Sequence, residues 1–354
     1  NRKAFCAGPL WAARKRGLRM SAMLPSRQLW AQGPHIVAIG GGTGLSTMLR
    51  GLKKYTKNLT AIVTVSDDGG GSGMLRRDIG MLPPGDIRSC ILALANTEKT
   101  MRELLNYRFT EGSLAGQSFG NLFLAAMNGI SGSFDEAVHR MGDVLAITGR
   151  VLPVTNQDVH LEAEFEDGSH CLGESKIYYA KKENDCRIRQ VRLVPEHPQA
   201  LPDSLEAIAR ADLIILGPGS LYTSIIPNFL VDGIADAIRR SRAVKALVLN
   251  VMTQDGETEG YTASDHVKAI LHHAGPNVVD VCVANSRPVP EESLAPYLAE
   301  GAEPLRLDRE EIMALGVAVR EFPLCSSGRY IRHNPDELAR AILSVWQEFR
   351  TYER

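Results

Sequence analysis

Four short loops concentrate the chemically capable residues of this chain: 40–44, 66–73, 217–224 and 250–258. The first reads Gly40-Gly41-Gly42-Thr43-Gly44, between the apolar run 36–39 and a helix-like segment at 46–55. The third opens Gly217-Pro218-Gly219-Ser220, again between an apolar run and a helical stretch. Glycines let a backbone approach an anion with no Cβ in the way. The first amides of a helix then point at that anion, with the positive end of the dipole behind them. Two such cradles on one rim suit a diphosphate, or a nucleotide beside a second phosphorylated group. Neither common nucleotide motif is present, because GxGxxG needs glycine where Leu45 stands and the P-loop lysine is missing.

Acids and amides surround these loops. Asp67 and Asp68 are adjacent at a strand end, so their side chains diverge. One could face the crevice and hold Mg²⁺ through water while the other caps the glycine loop; simple turn duty is the competing reading. Asp67, just past the second strand, also keeps a dinucleotide-binding (NAD(P)) reading open. Arg88 follows Pro83-Pro84-Gly85 and could clamp a phosphate or carboxylate, or else pair with Asp86 or Asp78. Asn121 and Asn250 could bond a sugar or base, or only cap their elements. Arg76 and Arg77 would add positive charge beside the crevice. No HExxH or cysteine–histidine signature occurs, and the GxSxG string at Gly116–Gly120 follows no apolar strand-like run, so it is not a nucleophile elbow. Phosphoryl transfer needs no protein nucleophile, so catalysis stays open on these grounds. The six cysteines are scattered without zinc spacing, as expected of reduced thiols in the cytosol.

The elements that must position these loops are legible from the apolar pattern. Strand-like runs at 36–39, 60–65, 211–216, 245–251 and 278–284 alternate with helical stretches near 46–55, 87–95, 98–107, 122–130, 133–143, 229–240 and 264–273. That alternation implies an α/β fold, with a Rossmann-like parallel sheet covered by helices on both faces. At 159–165 the period changes to two. An Asp167-Gly168 turn, a return strand at 169–177 and a further run at 187–194 suggest a small antiparallel insertion at about 152–195. His160 and His170 there read as solvated strand residues. A capped helix begins at Asn334-Pro335 and ends the chain. The expected organisation is one α/β domain at 35–333, a C-terminal helix at 334–354 packed on it, and a basic, disordered extension at 1–34. That extension is Arg-rich and acid-free like a transit peptide. A net charge of −1 gives no support to nucleic-acid binding, and no apolar run approaches the ~20 residues of a membrane span.

With those loops in view, the chain resembles the YvcK-type gluconeogenesis factors, the bacterial branch of a superfamily shared with 2-phospho-L-lactate transferase (CofD). The resemblance rests on GGGTGLS at 40–46, VSDDGGGSG at 65–73, LPPGDIR at 82–88, GQSFGNL at 116–122, GPGSLYTSIIPN at 217–228 and NVMTQDGET at 250–258. It implies a Rossmann-like core, a cytoplasmic protein and a role in cell morphogenesis and wall-precursor supply during gluconeogenic growth. It also implies UDP-N-acetylglucosamine as ligand. Gly41, Gly42, Thr43 and Gly44 would hold one part of that molecule, and Gly217, Gly219, Ser220 and Thr223 another. Asn250 would lie near the base or sugar, and Asp67 would be the metal or ribose carboxylate. Arg88 and Asn121 complete the expected ligand set; Asp67 and Asp68 form the expected Mg²⁺ pair. The expected partners are the nucleotide sugar, an amino-sugar or wall-precursor enzyme, and further copies of the chain. The transferase branch uses Mg²⁺ and shares the first glycine loop and the aspartates. The stretch GGGSGMLRRDIGMLPPGDIR at 69–88 departs from it and argues for a non-catalytic regulator over a transferase.

Overall fold

The sheet is built outward from its most apolar strands. β1 (Ile36–Gly40) and β2 (Leu59–Val63) are buried along their whole length, as strands covered on both faces must be. They pair in parallel, Ile36 opposite Leu59. β3 (Arg150–Pro153) forms the edge beyond β2. A separate antiparallel sheet of β4 (His160–Phe165), β5 (His170–Leu172) and β6 (Ile188–Val194) follows, in the order β5-β4-β6. The chain then returns to the main sheet with β7 (Leu213–Leu216), β8 (Val244–Val248), β9 (Val281–Asn285) and β10 (Ala318–Phe322). The seven parallel strands run β10-β9-β8-β7-β1-β2-β3. These coordinates come from a computed structural model that describes residues 33–184, 186–326 and 331–352. The 1–34 extension lies almost wholly outside the described residues.

Strand order reverses between β1 and β7. From β1 the chain winds to β2 and β3 on one side, then crosses to β7 on the other and continues outward. Loops leaving the carboxyl ends of the two strands at a reversal diverge and leave a crevice between them. Those two loops are the glycine-rich ones, 41–44 and 217–220. Burial on both faces is supplied by helices, among them α1 (Gly42–Leu52), α2 (Gly70–Ile79), α3 (Gly85–Leu94), α4 (Lys99–Asn106), α5 (Phe119–Gly129), α6 (Glu174–Asn184), α7 (Ala263–Ala274) and α8 (Pro335–Tyr352). Among the described residues, no helix is long and apolar enough to cross a membrane.

The α/β class, the parallel sheet and the small antiparallel insertion stand as expected; several boundaries do not. α1 starts at Gly42, not Ser46, so the glycine loop is itself the first helical turn. α2 begins at Gly70, inside a stretch that reads as loop because glycine opposes helix. The return strand stops at Leu172, and 174–184 is helix, because Asp68 accepts the amide of Ser175 at 2.8 Å from 107 residues away. No local pattern contains that cap. After Gly217-Pro218-Gly219-Ser220 comes a π-helical turn, Leu221–Ile225, and then two short helices, Ile226–Phe229 and Ile234–Arg240, in place of one. The short edge strands β3 and β10 carry no signal strong enough to be expected. α8 packs against α1, where a Cβ on Gly51 would come within 2.0 Å of the Pro335 carbonyl oxygen.

Candidate functional site

The two glycine turns touch. A Cβ on Gly44 would lie 2.5 Å from the Pro218 carbonyl oxygen, and one on Gly219 would lie 3.2 Å from that of Gly41. Such approaches leave no room for a side chain. Above the contact opens a cavity of about 310 Å³, at the lower end for a small-molecule site. Thr43 and Ser220 both line it, with Gly42, Gly44, Gly219 and Asn250. Residues not singled out in the sequence complete the wall: Thr47, Ser224, Gln254, Arg332 and His333. Burial, and then the nearby Arg332, lower the pKa of Arg50, so two guanidinium groups lie close together at this end of the cleft. His333 is buried and its pKa is pushed down to about 4 by desolvation, so it is neutral. Among the described residues its Nε2 has no partner.

Following each amide separates the two loops. The amides of α1's first turn have no acceptor inside the helix. Asp86 takes that of Gly42, which has φ +68°. Those of Thr43 and Gly44 belong to residues that line the cavity. On the second loop, Gly219 donates to Asn250 Oδ1 (3.2 Å), and Asn250 Nδ2 returns a bond to the Gly219 carbonyl (2.8 Å). Asn250 is thus a two-way clamp as well as a lining residue. The next amides, of Tyr222 and Thr223, both go to Glu257 Oε1, at 2.7 and 3.0 Å. The sequence suggests free amides at this helix start; instead an internal carboxylate fills the anion position. Thr223 lies outside the lining of the cavity. Ser220 Oγ donates to Gln254 at 2.7 Å.

Beneath the first loop lies a chamber of acids, of which Glu257 is buried and Asp67, Asp86 and Glu174 are half-buried. Asp67 accepts the Gly69 amide at 2.8 Å and bonds Ser72, which in turn accepts the amide of Gly85 at 3.1 Å. Burial raises the pKa of Asp67. Burial first, and then the charge of Asp67, raise Asp86 to about 6. Glu174 is pushed up to about 8 by burial, then by Asp67, Asp68 and Glu257. Burial takes Glu257 to about 7 despite its amide bonds. Among the described residues none of these four acids forms an ion pair. Asp67 and Asp68 diverge as adjacency requires: Asp67 faces the chamber, whereas Asp68 caps α6. No group of three His, Cys, Asp or Glu among the described residues is arranged to hold a metal.

The remaining candidates sit beside this chamber. Arg88 forms no ion pair with Asp86 or Asp78 among the described residues. Its guanidinium donates to Ser118 Oγ at 3.1 Å and to Ser89 Oγ at 3.4 Å, and its buried Nε lacks a partner. Asn121 is buried in the first turn of α5, with its Oδ1 likewise unpartnered. Neither lines the cavity between the glycine loops. Arg76 does not add charge to the crevice: it is buried and turned away to Asp158 and the carbonyl of Val159.

Comparison with known proteins agrees with this geometry. Residues 36–325 match the family model described as 2-phospho-L-lactate transferase CofD. The gluconeogenesis factor of Bacillus subtilis is 46% identical over 319 residues, covering 90% of this chain and 99% of that protein. That of Halalkalibacterium halodurans is 45% identical over 311 residues, covering 87% and 95%. A crystal structure of a upf0052 family member from Bacillus halodurans superposes with a TM-score of 0.84 at 45% identity, covering 87% of this chain and 98% of the other. The strand order that reverses at two glycine loops and the match along most of the length lead to one conclusion: this chain belongs to the CofD family, on the branch of the gluconeogenesis factors.

Proposed function

We propose that the cleft between Gly42 and Ser220 binds UDP-N-acetylglucosamine, and that the protein is a cytoplasmic, non-catalytic regulator. It would couple carbon status to wall-precursor supply and cell morphogenesis during gluconeogenic growth by contacting an enzyme of amino-sugar synthesis. The observation that carries the reading is the meeting of the two glycine turns at one cavity, with the first-turn amides of α1 and Arg332 on its wall. A diphosphate suits donors of that kind. His333 Nε2, Asn250 and Gln254 offer polar contacts for a sugar or base.

A second reading, a Mg²⁺-dependent transferase, is favoured by one feature. Asp67 and Asp86 are half-buried, neither forms an ion pair among the described residues, and their charges repel. Mg²⁺ is commonly held by one or two carboxylates with water completing the shell, so this pair fits such an ion; Asp68, spent on α6, does not. Bound there, the ion would supply charge neutralisation for a transferring phosphoryl group. Asp86 would meanwhile keep the Gly42 amide oriented. Calorimetry discriminates the two readings. Micromolar UDP-N-acetylglucosamine binding that persists in EDTA, with no product on incubation with phosphorylated acceptors, is expected of the regulator. Binding that requires Mg²⁺ and is followed by turnover would replace it with the transferase.

A further inference from the structure

We propose that a second pocket, on the outer side of α1 and sharing Thr43 with the cleft, binds a phosphorylated small molecule while the cleft is filled. Thr43, Ser46, Arg50 and Lys53 follow one another at spacings of three or four, so they share one face of α1. Together with Ser89 of α3, Arg102 of α4 and Asp336 of α8 they line a cavity of about 470 Å³, larger than the cleft. Four cations, Arg50, Lys53, Lys54 and Arg102, face it against one carboxylate, Asp336, which is held by Lys54 at 2.6 Å.

The bonds these cations make favour an anionic guest. Arg50 donates to Thr47 Oγ1 at 2.8 Å, Lys53 to the Ala95 carbonyl at 2.8 Å and Arg102 to the Thr97 carbonyl at 3.3 Å. The acceptors of Arg50 and Arg102 are neutral and leave those two positive charges in place. Burial, then Arg102, Arg50 and Lys54, lower the pKa of Lys53, a cost that a bound anion would relieve. The helix dipole accounts for basic residues at the end of α1, but not for Arg102, which arrives from α4. The hydroxyls of Ser46 and Ser89 already donate to Thr43 and Gly85 carbonyls, so the donors directed at a guest are cationic N–H groups. Phosphate matches both the arginine fork and the lysine point charge. Leu92 and Ala93 supply an apolar wall for the rest of the molecule.

The test is calorimetric titration of the whole chain with inorganic pyrophosphate at constant ionic strength, with and without saturating UDP-N-acetylglucosamine. Pyrophosphate should bind in both conditions. The Arg102→Glu variant should bind it about tenfold more weakly or worse, and Arg102→Gln should show a smaller loss, while UDP-N-acetylglucosamine affinity stays within about twofold of wild type. Arg102 is exposed, so neither variant should perturb the fold. Absence of pyrophosphate binding in wild type, its complete suppression by the nucleotide sugar, or equal affinity in Arg102→Glu would overturn the pocket. A wild type that ignores the nucleotide sugar yet shows Arg102-dependent pyrophosphate binding would remove the cleft assignment and support the pocket.

Discussion

The two glycine loops share a rim, a strand end before them and a helical turn after them, yet their amides have opposite fates. On the first, the amides of Thr43 and Gly44 belong to the wall of an open cavity. On the second, the amides of Tyr222 and Thr223 close on Glu257 Oε1, so the chain supplies its own acceptor. The difference teaches that a glycine-rich helix start is only an opportunity for an anion. Whether a guest takes it depends on what the rest of the fold brings there. Glu257 sits in the loop after β8, 35 residues from Tyr222. Its carboxylate converts the second cradle into a rigid wall for the first.

The hardest blow to this division of labour is a side chain at the contact itself. A Gly44→Val variant would place carbon 2.5 Å from the Pro218 carbonyl oxygen, with backbone on both sides unable to yield. Urea unfolding should show a loss on the order of 2–4 kcal/mol, and nucleotide-sugar binding should vanish. Next in size is Glu257→Ala, which strands the buried amide of Tyr222 and the part-buried one of Thr223. A stability loss of about 2–3 kcal/mol is expected. Glu257→Gln, which still offers an amide oxygen, should cost less than about 1 kcal/mol. Equal losses in the two variants would mean that the acceptor at Oε1 is irrelevant to the wall.

Removing the clamp with Asn250→Ala should cost about 1 kcal/mol and weaken nucleotide-sugar binding a few-fold, measured by calorimetry. The smallest effect concerns the acid chamber. Glu174 holds its proton up to about 8 in the folded chain, against 4.5 for the ordinary group. Between those values the folded state binds more protons than the unfolded one, so stability falls as pH rises. Glu174→Gln should flatten that slope and gain on the order of 1 kcal/mol at pH 8, with little change near pH 4. A variant with an unchanged slope between pH 5 and 8 would place the titration elsewhere.

What the sequence made legible followed from local chemistry. Gly40–Gly44 between an apolar run and a helix announced both the turn and its likeness to a phosphate cradle. The apolar runs at 36–39 and 60–65 marked two adjacent buried strands of the sheet, and Asn334-Pro335 marked the start of α8. The helical stretch at 264–273 likewise marked α7, whose Thr262 cap the structure completes into a capping box with Asp265. What stayed hidden depends on contacts between distant residues. α6 is capped by Asp68 across 107 residues. Arg332 and His333, which wall the cleft, lie almost 300 residues beyond Gly42 and read in isolation as a lead-in to a helix. Glu257 looks like any loop acid until Tyr222 and Thr223 are seen to point at it. Arg76 had the charge for the crevice, but packing turned it toward Asp158.

The most direct test pairs two variants in one calorimetric titration with UDP-N-acetylglucosamine in EDTA. Valine at position 42 would have to adopt φ near +68° and would push its branches toward the space above the first loop, whereas Glu257→Gln alters only the loop that is already filled. Micromolar binding by wild type and by Glu257→Gln, with none by a folded Gly42→Val, is the result predicted. Wild-type affinity in Gly42→Val, or no heat with the unaltered protein, would contradict it.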